Sequence, residues 1–229
     1  MTHLITGAGS GIGAALARVL HERGDDLLLV VRSDERAAEL REEFAGAETV
    51  VADLEDSAAL ERALAADSLP ARLDSLVHAA GYVDLQPVAD FDLGSWQRQL
   101  AVNLTAAALL ARATLPALRA AGGTVVLVNS GAGLAAHPEW SAYAASKFGL
   151  RALADSLRGE EAGNGVRVTS VFPGRTATPM QEKVHEQEGK TYDAGDWSTP
   201  ETVAASILHV LDLPADSVVP ELVVRPRPR

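Results

Sequence analysis

The sequence predicts an α/β protein: a doubly wound, parallel sheet of about seven strands with helices on both faces. Three observations carry this. Short runs rich in Val, Leu and Ile alternate with amphipathic helical patterns from one end of the chain to the other. The runs are almost continuously apolar, as strands covered on both faces must be. Polar and glycine clusters follow the runs, so they collect at the carboxyl edge of such a sheet, where open α/β sheets bind ligands. No Pro/Gly/Ser linker divides the 229 residues, and one domain spanning 1–229 is expected.

The elements follow in order. His3-Leu4-Ile5-Thr6 is the first strand, then comes Gly7-Ala8-Gly9-Ser10-Gly11-Ile12-Gly13, then a helix with Ile12, Leu16, Val19 and Leu20 on one stripe. Glycines permit positive φ and close approach of a pyrophosphate, and the helix start aims amide N–H groups at it. In this context the turn is a Rossmann-type dinucleotide site, with Gly7, Ser10, Gly11, Ile12 and Gly13 as cofactor-binding candidates. Strand Leu27–Val31 ends in Arg32-Ser33, where an NAD site would carry a carboxylate for the ribose hydroxyl. A guanidinium there suits a 2′-phosphate, so NADP(H) is favoured over NAD(H).

A charged helix with Ala37, Leu40 and Phe44 on one stripe leads to strand Thr49–Ala52 and Asp53; a helix from about Asp56 to Ala66 leads to strand Ser75–His78 and Ala79-Ala80-Gly81. The segment Leu93 to Ala121 is helical by composition, with Pro116 expected to bend or interrupt it near its end. Strand Thr124–Asn129 precedes Ser130-Gly131-Ala132-Gly133, and a helix runs from Ser141 to about Ala162. Strand Val166–Phe172 precedes Pro173-Gly174-Arg175-Thr176, followed by helix Pro200–Leu211 and strand Leu222–Val224. The tail Arg225–Arg229 is expected to fray.

The formal charge of −11 and a pI near 5.0 argue against nucleic acid or an anionic membrane surface as partner. There is no cysteine, hence no disulfide or thiol chemistry, which suits a reducing compartment. The start has no charged segment followed by a long apolar one, and no stretch reaches ~18 unbroken apolar residues. A cytoplasmic location is expected. No metal site is expected either: His78 has no ligand-spaced companion and reads as a packed or hydrogen-bonded strand residue.

Tyr143 and Lys147 stand four apart in Ser-Ala-Tyr-Ala-Ala-Ser-Lys and share one helix face. A free phenol titrates near pH ~10, and a neighbouring ammonium favours its ionised form, which makes the pair an acid/base device.

Together these motifs resemble the short-chain dehydrogenase/reductase family, ordinary single-domain branch, over essentially the whole chain. The spacing of Gly7, Gly11 and Gly13 is the family's, and Ser130, Tyr143 and Lys147 match its catalytic serine, tyrosine and lysine, with the usual thirteen-residue step from Ser130 to Tyr143. Asn103 matches the family's helix asparagine, Asp53-Leu54 its adenine contact, Ala80-Gly81 its close cofactor approach, and Pro173-Gly174 with Thr176 and Thr178 its nicotinamide-carboxamide segment. The resemblance implies hydride transfer between nicotinamide and a carbonyl or secondary alcohol. Tyr143 would carry the proton, Lys147 would lower the phenol pKa and hold the ribose, Ser130 would orient the reacting oxygen, and Asn103 would position a water. One departure stands out: His78-Ala79-Ala80-Gly81 replaces Asn-Asn-Ala-Gly, which removes a bracing amide. Two alternatives stay open, a non-catalytic NADP-sensing or scaffold protein and a 3-oxoacyl reductase.

Residues 176–198 read as a substrate lid, with Met180, Val184, Tyr192 and Trp197 among charged residues and Gly189 and Gly195 as flexible points. Val83, Leu85, Leu134, His137 and Trp140 complete a mainly apolar pocket, which favours an apolar or aromatic carbonyl or alcohol; His137 and Arg175 are available to an acidic group. The resemblance implies a homodimer or homotetramer, and the stripe Phe148, Leu150, Leu153, Leu157 is either its interface or core.

Overall fold

The computed structural model describes residues 1–65 and 69–227. Seven strands, all parallel, form one sheet: β1 Thr2–Thr6, β2 Asp26–Val31, β3 Glu48–Val51, β4 Ser75–His78, β5 Thr124–Val128, β6 Arg167–Pro173 and β7 Glu221–Val224. Their order is β3-β2-β1-β4-β5-β6-β7, so the winding reverses between β1 and β4 and opens a crevice at their carboxyl ends. Register follows from burial on both faces. Leu4, Leu28, Val30, Val125 and Leu127 feed one apolar cluster, and the alternating Ile5, Leu29, Val31, Val126 and Val128 feed the other.

Helices α1 Gly11–Glu22, α2 Asp34–Glu43 and α8 Pro200–Leu211 cover the second face through Leu16, Leu20, Leu40, Val203 and Ile207. Helices α3 Ser57–Ala63, α5 Ala106–Ala121 and α6 Ser141–Glu161 cover the first through Leu60, Leu110, Leu118, Leu150 and Leu157. Helix starts are set by capping side chains: Ser33 for α2, Asp56 for α3 and Thr199 for α8, where Pro200 supplies a preset φ. The helix expected to reach Ala66 is seen as far as Ala63, and Ala66 lies outside the described residues.

Two expectations need correction. The Leu93–Ala121 segment is interrupted, but by a π-turn at Ala101–Thr105 between α4 Leu93–Leu100 and α5, whereas Pro116 sits inside an unbroken helix. Pro116 is exposed, so the carbonyl it deprives of a donor can turn to water. By composition this 29-residue run is apolar enough to cross a bilayer, yet Ala106, Leu110, Ala111 and Leu118 are spent against the sheet. The tail does not leave the molecule at Arg225 either: Arg225 and Pro226 lie over Gly131 and Gly174, while Pro228 and Arg229 fall outside the described residues. On α6, Leu150, Leu153 and Leu157 belong to the core, leaving Phe148 as the exposed apolar residue of that stripe.

Candidate active site

The crevice, of about 1010 Å³, runs along the carboxyl ends of the strands. Its floor at β1 is the glycine turn. Gly7 and Gly11 take φ +74° and +55°, which only glycine adopts without strain. A Cβ on Gly7 would stand 2.8 Å from Ala80 N, and one on Gly13 would run into Gly7 O. The turn is therefore packed against the end of β4 and against itself, leaving the backbone bare toward the crevice. Ser10 caps α1 in extended geometry without a side-chain hydrogen bond, so the first amides and the positive end of the helix face outward. A cradle that a Cβ would fill, at a helix start, fits the pyrophosphate of a dinucleotide.

Arg32, Asp53 and Leu54 line the crevice on the β2–β3 side. Asp53 folds its carboxylate onto Glu55 N at 3.0 Å and so shapes its own turn, while Asp56 caps α3. Arg36, passed over in the sequence, reaches from α2 to Gly9 O at 2.5 Å and pairs with Glu39. Its signal was available: it lies one helical turn after Arg32, on the first turn that Ser33 caps.

At the other end, Ser130, Tyr143 and Lys147 face the same crevice, as do Ala80, Gly81, Pro173, Gly174, Thr176 and Thr178. Tyr143 is 7% exposed and packs edge-on against Trp140, with ring centroids 5.7 Å apart. Lys147 Nζ donates to Val128 O at 2.9 Å and sits 5.7 Å from the phenol ring centre. Burial pushes the phenol up to about 12, with a hydrogen bond to Ser130 acting in the opposite direction. The expected lysine-driven lowering of the phenol does not figure in this balance, in which burial dominates and Ser130 alone opposes it. The same burial brings the Lys147 ammonium down to about 7. Asn129 was also overlooked: its amide donates to Lys147 O at 3.0 Å and its oxygen accepts from Ser130 N at 2.8 Å, tying the serine's strand end to the lysine's helix.

Gly13 and Asn103 stand behind the crevice wall. Asn103 is fully buried; its oxygen accepts from Tyr82 N at 2.7 Å, and its amide donates to Tyr82 O at 2.8 Å and Ser146 Oγ at 2.9 Å. The π-turn that interrupts the long helix aims it there. His78 takes over the bracing role of the missing amide. Its Nδ1 meets Thr6 Oγ1 at 3.0 Å, its Nε2 meets Val102 O at 3.1 Å, and Thr6 Oγ1 also accepts from Ala80 N. Burial first, and then the Lys147 cation, hold His78 down to about 3, so the ring is neutral and Nε2 donates to the π-turn carbonyl.

Thr178 caps α7 Pro179–Gln187 and touches the glycine turn: a Cβ on Gly11 would lie 3.1 Å from its methyl. Thr176 bridges to Ser198, closing the base of the 176–198 segment. From α7, Met180 and Val184 line the crevice opposite Val83, Leu134, His137 and Trp140. Leu85 packs on the small cluster beneath this wall. Tyr192 and Trp197 do not line the crevice but pack on His185, the first edge-on and the second tilted, each with ring centroids 5.3 Å away. Arg175 is committed to Glu188 by two bonds of 2.7 and 2.8 Å.

The short chain dehydrogenase family model matches residues 2–189. Sulfoacetaldehyde reductase 2 of Chromohalobacter salexigens is 36% identical over 239 residues, covering 97% of this chain and 93% of that protein. Glycine betaine reductase of Emericella nidulans is 33% identical over 236 residues, and the match takes in 98% of this chain but only 18% of that much longer protein. The solved closed form of serine dehydrogenase complexed with NADP+ superposes with a TM-score of 0.87 at 27% identity, over 99% of this chain and 95% of that one. By sequence and by fold, the chain belongs to the short-chain dehydrogenase/reductase family of NAD(P)-dependent oxidoreductases.

Proposed function

We propose that the chain is an NADP-dependent carbonyl reductase or alcohol dehydrogenase for a small substrate with an apolar or aromatic body. The carrying observation is that Ser130, Tyr143 and Lys147 share one crevice with a bare glycine turn, one acid/base end and one dinucleotide end. When bound, the nicotinamide supplies or accepts the hydride. In reduction, the Tyr143 phenol gives its proton to the carbonyl oxygen, and Ser130 donates a hydrogen bond that fixes this oxygen. Lys147 restores the phenol's proton and holds the ribose hydroxyls, and Asn103 positions the Tyr82 backbone and a water behind Lys147. Gly7, Ser10, Gly11, Ile12 and Gly13 hold the pyrophosphate, Asp53 and Leu54 the adenine, and Ala80, Gly81, Pro173, Gly174, Thr176 and Thr178 the nicotinamide half.

Arg32 at the adenosine end favours the 2′-phosphate, and NADP+ is bound by the serine dehydrogenase to which this fold is similar. Residues 176–198 act as the lid, with Met180 and Val184 giving the pocket its apolar wall. The reading includes a homodimer or homotetramer, for which the exposed Phe148 of α6 is a candidate contact, and a cytoplasmic location. The test is consumption of NADPH and NADH across a panel of aromatic and aliphatic ketones and aldehydes. NADPH turnover is expected with apolar members, and turnover confined to phosphorylated or polycarboxylate substrates would refute the pocket reading. In Arg32→Ala, the KM for NADPH should rise about 10- to 100-fold with that for NADH near wild type, since a charge-assisted hydrogen bond contributes ~1.5–3 kcal/mol. An unchanged cofactor ratio would remove Arg32 from the phosphate site.

A further inference from the structure

We infer that Arg225 is a specificity-determining residue that binds an anionic oxygen group, a carboxylate in the first instance, on the substrate. The inference rests on the oxidoreductase reading above and adds the charge of the substrate to it. Arg32, Arg36, Arg98, Arg175 and Arg225 line the crevice. Arg36 pairs with Glu39, Arg98 with Glu55 and Arg175 with Glu188. Among the described residues neither Arg32 nor Arg225 has an acidic partner. These two uncommitted guanidinium groups stand at opposite ends of the crevice, Arg32 on the adenosine side and Arg225 beside Ser130.

The tail is built to put Arg225 there. β7 pairs with β6 through Pro173↔Val224, and Gly174 N donates to Val224 O at 2.7 Å, so Arg225 leaves the sheet at its carboxyl edge. A Cβ on Gly174 would stand 2.7 Å from Pro226 Cδ and 3.4 Å from Arg225 Cδ; one on Gly131 would stand 2.7 Å from Arg225 Nη1. Two glycines thus let the arm lie flat across both strand ends, with its guanidinium over the residue that follows Ser130. With a formal charge of −11, the protein as a whole repels anions, and an anionic substrate needs a local cation to be held. The planar fork of arginine matches a carboxylate. A carbonyl compound whose apolar middle lies along Val83, Met180 and Val184 would present its oxygen to Ser130 and Tyr143 and its anionic end to Arg225.

The test compares 4-carboxybenzaldehyde with its methyl ester, and with 4-formylbenzenesulfonate, as substrates of wild type, Arg225→Ala and Arg225→Lys. Arg225→Ala is expected to lower kcat/KM about 10- to 100-fold for the carboxylate and leave the ester near wild type, with Arg225→Lys between, because one charge-assisted contact is lost. Sulfonate turnover that also depends on Arg225 would show that charge, rather than planar geometry, is read. Independently of turnover, NADPH-saturated protein is titrated calorimetrically with 4-(hydroxymethyl)benzoate, whose affinity should fall about tenfold in Arg225→Ala. Arg225-dependent affinity without turnover of any aldehyde would sustain this inference while sinking the oxidoreductase reading. An acid-to-ester ratio and a calorimetric affinity both unchanged in Arg225→Ala would overturn it.

Discussion

Tyr143→Phe is expected to lower kcat/KM about 10²- to 10⁴-fold, the range that a positioned general acid contributes, while NADPH affinity stays near wild type. The substitution removes one oxygen. The ring's contact with Trp140 persists, and the hydroxyl's hydrogen bond to Ser130 is the polar interaction lost, so folding should be little affected. Steady-state turnover on the best panel substrate, beside a fluorescence titration of NADPH, separates chemistry from cofactor binding. Full turnover with the cofactor bound would end the assignment of Tyr143 as proton carrier. The direction of the phenol's shift adds a pH signature. Burial pushes the group up to about 12, so the proton-donating form is present through neutral and mildly alkaline pH. Carbonyl reduction should therefore not lose its acid as pH rises to 9, whereas alcohol oxidation, which needs the phenolate, should speed up with pH across the same interval.

The strands were legible because each is a short, mostly apolar run whose few interior polar residues, His3, Thr49, Thr169 and Ser170, carry no formal charge at neutral pH; β4 is expected at Ser75–His78 and lies there. The site was legible for a related reason, since the topology sends every strand's carboxyl end to one edge, and the clusters after β1, β4, β5 and β6 had to meet. What stayed hidden depended on side-chain partners. Arg175 looked like a free cation until Glu188 was seen to engage it, and Trp197 looked like a pocket wall until it turned out to pack on His185. The π-turn at Ala101–Thr105 has no composition signal, whereas Pro116 has a strong one and is harmless because it faces water. Burial of both Tyr143 and Lys147 was equally out of reach, since a four-residue spacing fixes a shared face but not how dry that face is. The tail misled for the opposite reason: its Arg-Pro composition resembles a frayed end, and the two glycines that receive it lie more than fifty residues away in sequence.

Lys147→Met should cost about 10²- to 10³-fold in kcat/KM and at the same time change how stability depends on pH. Lys147 is 3% exposed, and burial brings its ammonium down to about 7 from a reference of 10.5. Between those values the unfolded chain holds a proton at this position that the folded chain has released. The unfolded state then binds more protons, so this group makes stability rise as pH rises from about 7 toward 10.5, and below about 7 the folded state carries the full cost of a buried cation. Methionine removes that slope. Thermal melts at pH 6, 8 and 10 should therefore show a wild-type advantage that grows with pH relative to the variant, with the two closest, or inverted, at pH 6. Tyr143 works with the opposite sign, but only above pH ~10, where the unfolded phenol ionises first, so it does not enter this window. The lost bond to Val128 O shifts the variant's curve by a constant without changing its slope. A lysine kept for stability would show the reverse combination, with activity retained and melts lowered equally at every pH. Falling activity together with a flattened pH dependence is the mark of a cation held in a dry crevice because the reaction requires it there.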